Sequence, residues 1–138
     1  MKKFFILTVI SFLTLSSCSI DDDNNVDFYL EVLPIESVEI PDEFELGQTY
    51  EILISYNRPT GCYDFNDFIY EINGQERTVA VVNTVYTNVN CTEQSELVTV
   101  SLNFYVTSNE TYLFKFYQGE DEEGEDQYFI VEVPVVTE

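Results

Sequence analysis

Residues 98–107 read VTVSLNFYVT, and apolar and polar side chains alternate along the whole segment. The apolar set is Val98, Val100, Leu102, Phe104 and Val106. A period of two places each set on one face of a β-strand, whereas an amphipathic helix repeats about every 3.6 residues. We therefore expect a strand here, with the apolar set facing a protein core.

The same alternation recurs on both sides of this segment. It predicts six further strands, the first of them split by Pro34, at residues 28–33 with 37–40, 50–57, 68–72, 77–87, 112–117 and 129–135. Because proline lacks an amide donor, the split strand should lie at a sheet edge. No helical period and no internal repeat follow residue 27. This pattern favours an all-β fold, a single seven-stranded β-sandwich domain over residues 27–138.

The dipeptide Asn73-Gly74 separates the third and fourth of these strands. It is the strongest short hairpin signal in the chain, because a type I′ turn needs positive φ at both central residues. A hairpin here fits an immunoglobulin or fibronectin-III-like order, with strands lettered A, B, C, C′, E, F and G along the chain. We expect the sheets A-B-E and C′-C-F-G. Tyr112, which opens strand F, resembles the tyrosine corner of such folds, and an ordinary core tyrosine is the alternative.

The amino terminus carries a targeting pattern. Two lysines precede an apolar run at residues 4–15, which is shorter than the about 20 residues that a spanning helix needs. The run ends at Leu15-Ser16-Ser17-Cys18, which resembles the lipobox of bacterial lipoproteins. The resemblance implies that residues 1–17 are a signal peptide and that Cys18 carries a lipid anchor. An ordinary signal peptide or a transmembrane helix is the alternative.

Residues 18–26 form an acidic segment with few apolar side chains. Such a segment cannot contribute to a core, so we expect a flexible tether. An acidic run directly after a lipidated cysteine resembles the surface-export signal of lipoproteins in Bacteroidota. That resemblance implies an outer-membrane lipoprotein exposed on the cell surface. A periplasm-facing lipoprotein with a solvated spacer is the alternative.

The composition is strongly acidic, with 26 Asp and Glu against five Lys and Arg and a formal charge of −21. Loss of residues 1–17 would remove two lysines and no acid, which gives −23. Such a field repels nucleic acid, so binding through phosphate neutralisation is excluded. It also disfavours docking on anionic lipid headgroups. The membrane contact that we expect is the lipid anchor.

Three cysteines are present, and the lipid anchor would occupy one of them. Cys62 and Cys91 remain as an even pair in an oxidising compartment, which favours a disulfide. Their two loops also lie at the same pole of the expected sandwich, where the first strand begins. A metal site is the alternative, but the chain has no His and no further Cys to supply ligands.

The loop at residues 119–126 is rich in carboxylates. Ca²⁺ takes roughly six to eight oxygen ligands, so Asp121, Glu123 and Asp126 are candidate ligands. The EF-hand spacing is absent, and a solvated hairpin tip that protects a sheet edge is the alternative. Apart from the lipid and this candidate cation, no cofactor is expected.

Catalysis has little support in the residues. Without His, a Ser or Cys nucleophile would lack a recognisable base, and paired carboxylates arise by chance in so acidic a chain. We therefore expect no enzymatic activity. The outer face of sheet C′-C-F-G could instead carry an aromatic platform for a glycan or a protein. The candidate tyrosines are Tyr63, Tyr70, Tyr86, Tyr105 and Tyr117.

Five short segments carry a wider resemblance: GCYDF at 61–65, FIYEING at 68–74, ERTV at 76–79, TYLFKF at 111–116 and GED at 119–121. They resemble small immunoglobulin-like lipoproteins of flavobacteria. The resemblance implies an architecture and an address, and it implies no chemistry. We expect a non-catalytic binding or accessory module with a glycan or protein partner. A structural or protective envelope protein without a specific ligand is the alternative.

Overall fold

The computed structural model describes residues 26–137, which form ten strands and no helix. The strands are β1 (Phe28–Leu33), β2 (Ile35–Glu39), β3 (Phe44–Glu45), β4 (Thr49–Arg58), β5 (Tyr63–Asn73), β6 (Glu76–Tyr86), β7 (Glu96–Tyr105), β8 (Tyr112–Glu120), β9 (Asp126–Val133) and β10 (Val135–Val136). The all-β prediction is confirmed. The predicted signal peptide, Cys18 and the tether up to residue 25 lie outside the described residues.

Most strands belong to two sheets. The smaller sheet has the antiparallel order β2-β4-β7. In the larger sheet β6 is central, and β5 pairs along one of its sides. The other side of β6 is shared, because β1 pairs with residues 81–86 and β8 pairs in parallel with residues 76–79. Strand β9 pairs with β8, and β3 and β10 form a separate parallel pair.

The inward faces of both sheets meet in one hydrophobic core. Ile52, Ile54 and Tyr56 of β4 are fully buried and alternate with more exposed residues, as the period of two predicts. From the other side, the Tyr112 and Phe114 rings lie 4.9 and 5.1 Å from the Phe104 ring in edge-to-face geometry. Such aromatic pairs are favourable beyond the area they bury. The arrangement is consistent with a β-sandwich.

The chain changes sheets at Pro34. Leu33 pairs with Val81 in the larger sheet, and Ile35 pairs with Tyr56 in the smaller one. The predicted break at the proline is therefore confirmed, but its two halves are separate strands in different sheets. This division and the two-residue strands β3 and β10 give ten strands where seven were expected.

The predicted sheet A-B-E corresponds to β2-β4-β7, whereas the predicted order C′-C-F-G is wrong. Strand β6, the predicted C′, lies between β5 (C) and β8 (F). Residues 79–82 of β6 form a continuous Val-Ala-Val-Val run, which is typical of a strand buried on both faces. Strand β5 carries Asp64, Asp67 and Glu71, and charged side chains are typical of an edge strand.

The predicted hairpin joins β5 to β6, but its turn is displaced by one residue. Asn73 pairs with Glu76, so Gly74 and Gln75 are the central residues of the turn. Gly74 has φ +59°, and no non-glycine residue among residues 26–137 has positive φ. Positive φ at the first central position alone matches a type II′ turn rather than type I′.

Tyr112 forms the predicted tyrosine corner. Its hydroxyl accepts hydrogen bonds from the backbone amides of Thr107, at 3.2 Å, and Ser108, at 2.9 Å. The ring is fully buried, and the bonds reach back four and five residues along the chain. This contact fixes the connection from β7 to β8.

Two loops and the start of β1 share one end of the sandwich, which we call the disulfide pole. It comprises the loops at residues 59–62 and 87–95. The amide of Gly61 donates to the carbonyl of Thr92, and that of Thr87 to the carbonyl of Asp27, each at 2.9 Å. Because β8 runs parallel to β6, the β8–β9 turn points towards the same end. Strand β10 lies beside β3 at the other end.

Candidate functional site

The outer face of the larger sheet, which points away from the core, carries several exposed apolar side chains. On β1 the residues that alternate with buried Leu33 are Phe28, Leu30 and Val32. Phe28 is 61% exposed and Leu30 57% exposed. Their cross-strand partners on β6 are Tyr86, Thr84 and Val82. The larger sheet therefore presents a second apolar surface that no part of residues 26–137 covers.

A groove of about 270 Å³ opens on this outer face. Thr78 and Ala80 of β6 lie at its floor, between the apolar side chains of Val32 and Ile69. Ala80 is nearly inaccessible although it points away from the core, because larger side chains surround it. The apolar part of the groove is therefore formed by the side chains of Val32 and Ile69 beside Ala80, and an aliphatic chain can pack against them.

The groove exists because the strand that pairs with this side of β6 changes from β8 to β1 at this point. Val79 pairs with Phe116 of β8 and Val81 pairs with Leu33 of β1, so Ala80 lies between the two pairings. The register of β8 and β9 also shifts between Tyr117 and Glu120. Gly119 lies in this bulge with φ +97°, and a Cβ there would meet Pro34 Cγ at 3.3 Å.

Two tyrosines form the other wall of the groove. Tyr117 of β8 and Tyr128 of β9 are cross-strand partners with ring centroids 5.9 Å apart and an interplanar angle of 66°. The Tyr128 hydroxyl donates to Asp126 Oδ2 at 3.3 Å. Lys115 Nζ lies 4.9 Å from the centroid of the Tyr128 ring, within cation–π range. One face of the Tyr128 ring is therefore in contact with the ammonium group of Lys115.

The polar lining of the groove is negative. Glu71 of β5 and Asp126 of β9 approach it from different strands. Burial, then Asp126 and Glu71, raise the pKa of Tyr128 above its ordinary value. Burial raises the pKa of Tyr117 as well, together with Asp126 and Glu120. In both cases the neighbouring carboxylates disfavour a negative charge on the phenol, as expected where the polar lining is acidic.

The two cysteines of the predicted disulfide are bonded to each other. Cys62 and Cys91 have Cα atoms 5.3 Å apart. The bond joins the two loops of the disulfide pole. The hydrogen bond from the Gly61 amide to the Thr92 carbonyl joins the same two loops, so the disulfide is a structural cross-link between them.

The candidate Ca²⁺ ligands have different surroundings. Asp121 Oδ1 accepts hydrogen bonds from the backbone amides of Glu123 and Glu125, at 2.9 and 3.0 Å, and Oδ2 accepts one from Gln127 Nε2. The Asp121 carboxylate therefore organises the β8–β9 turn, while Asp126 lines the groove. Within residues 26–137 no three carboxylate or cysteine side chains are grouped so as to hold a metal ion.

The predicted aromatic platform is only partly present on the outer face. Tyr117 and Tyr86 lie there, whereas Tyr63 and Tyr70 pair with the core residues Val85 and Val79 and so point inward.

Tyr105 belongs to the smaller sheet. Sequence reasoning missed Tyr128, although its alternation with the apolar series Phe129, Val131 and Val133 marks it as outward-facing.

In the part of the chain that the structure describes, no helix is long and apolar enough to cross a lipid bilayer. No protein-family model matches the chain, and no curated protein and no solved structure matches it.

Proposed function

We propose that the chain is an outer-membrane lipoprotein, anchored through Cys18 and exposed on the cell surface, which displays an acidic binding module without catalytic activity. The basic and apolar pattern of residues 1–17 and the cysteine that ends it support the address. The outer face of the larger sheet, with its groove, is the surface that binds the partner.

The observation that carries this proposal is the difference between the two outer faces of the sandwich. The smaller sheet exposes mainly polar groups, such as Thr99, Ser101 and Asn103 of β7. The larger sheet exposes Phe28 and Leu30 of β1, and Ile130 of β9 is 55% exposed. Contiguous exposed apolar surface typically marks an interaction site. A protein that acted only through charge and bulk would gain nothing from it.

A variant of the immunoglobulin or fibronectin-III arrangement is the finer fold that we propose. The A-B-E sheet and the tyrosine corner at Tyr112 support it. The domain differs from that arrangement in the order of two strands, because β6 (the predicted C′) and not β5 (the predicted C) lies next to β8. The same features agree with the resemblance to immunoglobulin-like lipoproteins of flavobacteria, which also supports the proposed surface address.

A structural or protective role is the second candidate, because the formal charge of −23 without residues 1–17 suits a repulsive layer on the cell surface. The two roles differ in whether the outer face of the larger sheet is occupied. A photoreactive benzophenone residue at Leu30 tests this in the full lipoprotein on intact cells. Leu97 on β7 is the matched control position, since it is 60% exposed and belongs to the smaller sheet.

We expect a discrete cross-linked product from position 30 and none from position 97. Products of equal yield at both positions would indicate non-specific contact. Absence of a product at position 30 would contradict the binding role and favour the protective one.

A further inference from the structure

The carboxylates of the groove lack cationic partners within the described chain. Both ion pairs found in residues 26–137 belong to Arg58, which binds Asp64 and Glu96. Arg77 is buried, and its guanidinium donates to the carbonyls of Gly74 and Glu76. The positive charge nearest the tyrosine pair is therefore Lys115.

Lys115 does not neutralise the groove. Its single ammonium lies against the Tyr128 ring, while Glu71 and Asp126 line the groove and Glu120 acts on Tyr117. The balance at the site is negative. A cation entering the groove would be attracted by two carboxylates that form no ion pair within residues 26–137.

The shape of the groove restricts the kind of cation. The floor at Ala80 lies between the aliphatic side chains of Val32 and Ile69, and the carboxylates of Glu71 and Asp126 line the groove from β5 and β9. This combination suits a charged head on an apolar stem, because the stem can be buried while the head stays with the carboxylates and aromatic rings. Lysine and arginine side chains have this form.

The surroundings of the groove indicate that the stem belongs to a polypeptide. Specific protein interfaces bury about 800 Å² on each partner, which is far more than one side chain. The exposed apolar side chains of β1 and β9 provide adjoining surface for neighbouring residues of a partner. An acidic glycan or an anionic membrane would be repelled by the same carboxylates, and a neutral glycan would leave their charge uncompensated.

We infer that the groove binds a lysine or arginine side chain presented by a basic partner polypeptide, with Glu71 and Asp126 contacting the charged head and Tyr117 and Tyr128 flanking it. This inference rests on the proposed binding function and specifies its ligand. The partner is recognised by positive charge on an apolar stem and by the apolar surface next to it.

The test uses the full lipoprotein in neutral detergent micelles and a set of short acetylated peptides that differ at one central position. Lysine or arginine stands there in two peptides, and their neutral isosteres norleucine and citrulline stand in the other two. We expect the cationic peptides to bind about tenfold more tightly than the isosteres in calorimetric titration. Equal affinities would overturn the inference.

Charge-matched variants separate the groove from the general acidic field. Glu71→Gln with Asp126→Asn should weaken binding of the lysine peptide about tenfold. Glu39→Gln with Glu51→Gln removes the same charge from exposed positions on β2 and β4 of the smaller sheet and should leave affinity within about twofold. Equal losses in the two variants would mean that only the net charge acts, which overturns the site.

The ring of Tyr128 gives an independent readout. Tyr128→Phe keeps the aromatic face and should retain the preference for lysine over norleucine, whereas Tyr128→Leu should lower it. A preference unchanged in both variants would contradict the role of the tyrosine. If cross-linking at position 30 persists while no cationic preference is found, the binding function stands and the inferred ligand is wrong.

Discussion

The Tyr56 hydroxyl donates a hydrogen bond of 3.0 Å to Asn83 Oδ1, and this bond joins the two sheets within the core. Both side chains are fully buried. Asn83 Nδ2 has no hydrogen-bond partner among residues 26–137. The asparagine is therefore only partly satisfied, and loss of Tyr56 would leave its side chain with no hydrogen bond from the described residues.

Tyr56→Phe and Asn83→Leu should each lower the free energy of unfolding by about 1–3 kcal/mol, because each leaves a buried polar group unpaired. The double variant should lose less than the sum of the two, since both polar groups are then gone. Urea denaturation of all four proteins measures this coupling. Strictly additive losses would mean that the bond contributes nothing.

Alkaline pH should destabilise the domain through its tyrosines. Burial raises the pKa of Tyr56 above its ordinary value, and burial likewise raises the pKa of Tyr70. A folded-state pKa above the unfolded value gives stability that is present below about pH 10 and lost as pH rises through the folded pKa. Urea midpoints measured from about pH 8 to pH 11 should fall, and Tyr56→Phe should reduce that fall. A midpoint independent of pH would contradict this.

Tyr112→Phe should lower the free energy of unfolding by about 1–3 kcal/mol, because two backbone amides lose their acceptor while the core ring remains. Tyr105→Phe is the control, since that side chain is exposed on the smaller sheet. Chemical denaturation compares the two variants. Equal effects would show that the corner contact is not the cause.

The disulfide between Cys62 and Cys91 spans a sequence separation of 29 residues. In the chain-entropy description such a cross-link stabilises a fold by about 3.5 kcal/mol. Replacing both cysteines with serine should lower the urea midpoint accordingly. Wild-type protein in reductant should then match the variant, and a midpoint unaffected by reductant would contradict a stabilising role.

Cys18→Ala should release the protein from membranes, because the proposed anchor depends on acylation of that thiol. Fractionation of cells that express the variant provides the measurement, with Cys62→Ala as the control that retains the acylation site. A Cys18→Ala protein that stays wholly in the membrane fraction would contradict the proposed anchor.

The local sequence pattern predicted where the strands lie better than it predicted which strands pair with each other. The alternation at residues 98–107 and the tyrosine at 112 led correctly to β7 and to the corner. The dipeptide Asn73-Gly74 indicated that the strands on either side of it form a hairpin. It contains no information on whether β5 or β6 is the central strand of the sheet. That information lies in the continuous apolar run at residues 79–82, which is typical of a strand covered on both faces.

The groove could not be predicted from any single segment. Glu71 and Tyr128 lie far apart in the chain, and they approach each other because β1 and β8 occupy successive parts of one edge of β6. Such sharing depends on strand pairing across the whole domain. The alternation on β9 predicts that Tyr128 points outward, but it does not predict which residues of other strands surround Tyr128.

The divided edge of β6 also governs how the domain folds. Phe28 pairs with Tyr86, and Glu76 pairs with Leu113, so strands from distant parts of the chain must reach the same central strand. Closing such long loops costs entropy before any contact forms, and sheets built from distant pairings fold slowly. The β5–β6 and β8–β9 hairpins can form early, whereas the sheet is completed only when β1 and β8 have both docked. A nascent chain that ends before residue 112 lacks the partner of residues 76–79, so the larger sheet can be completed only after β8 has been synthesised.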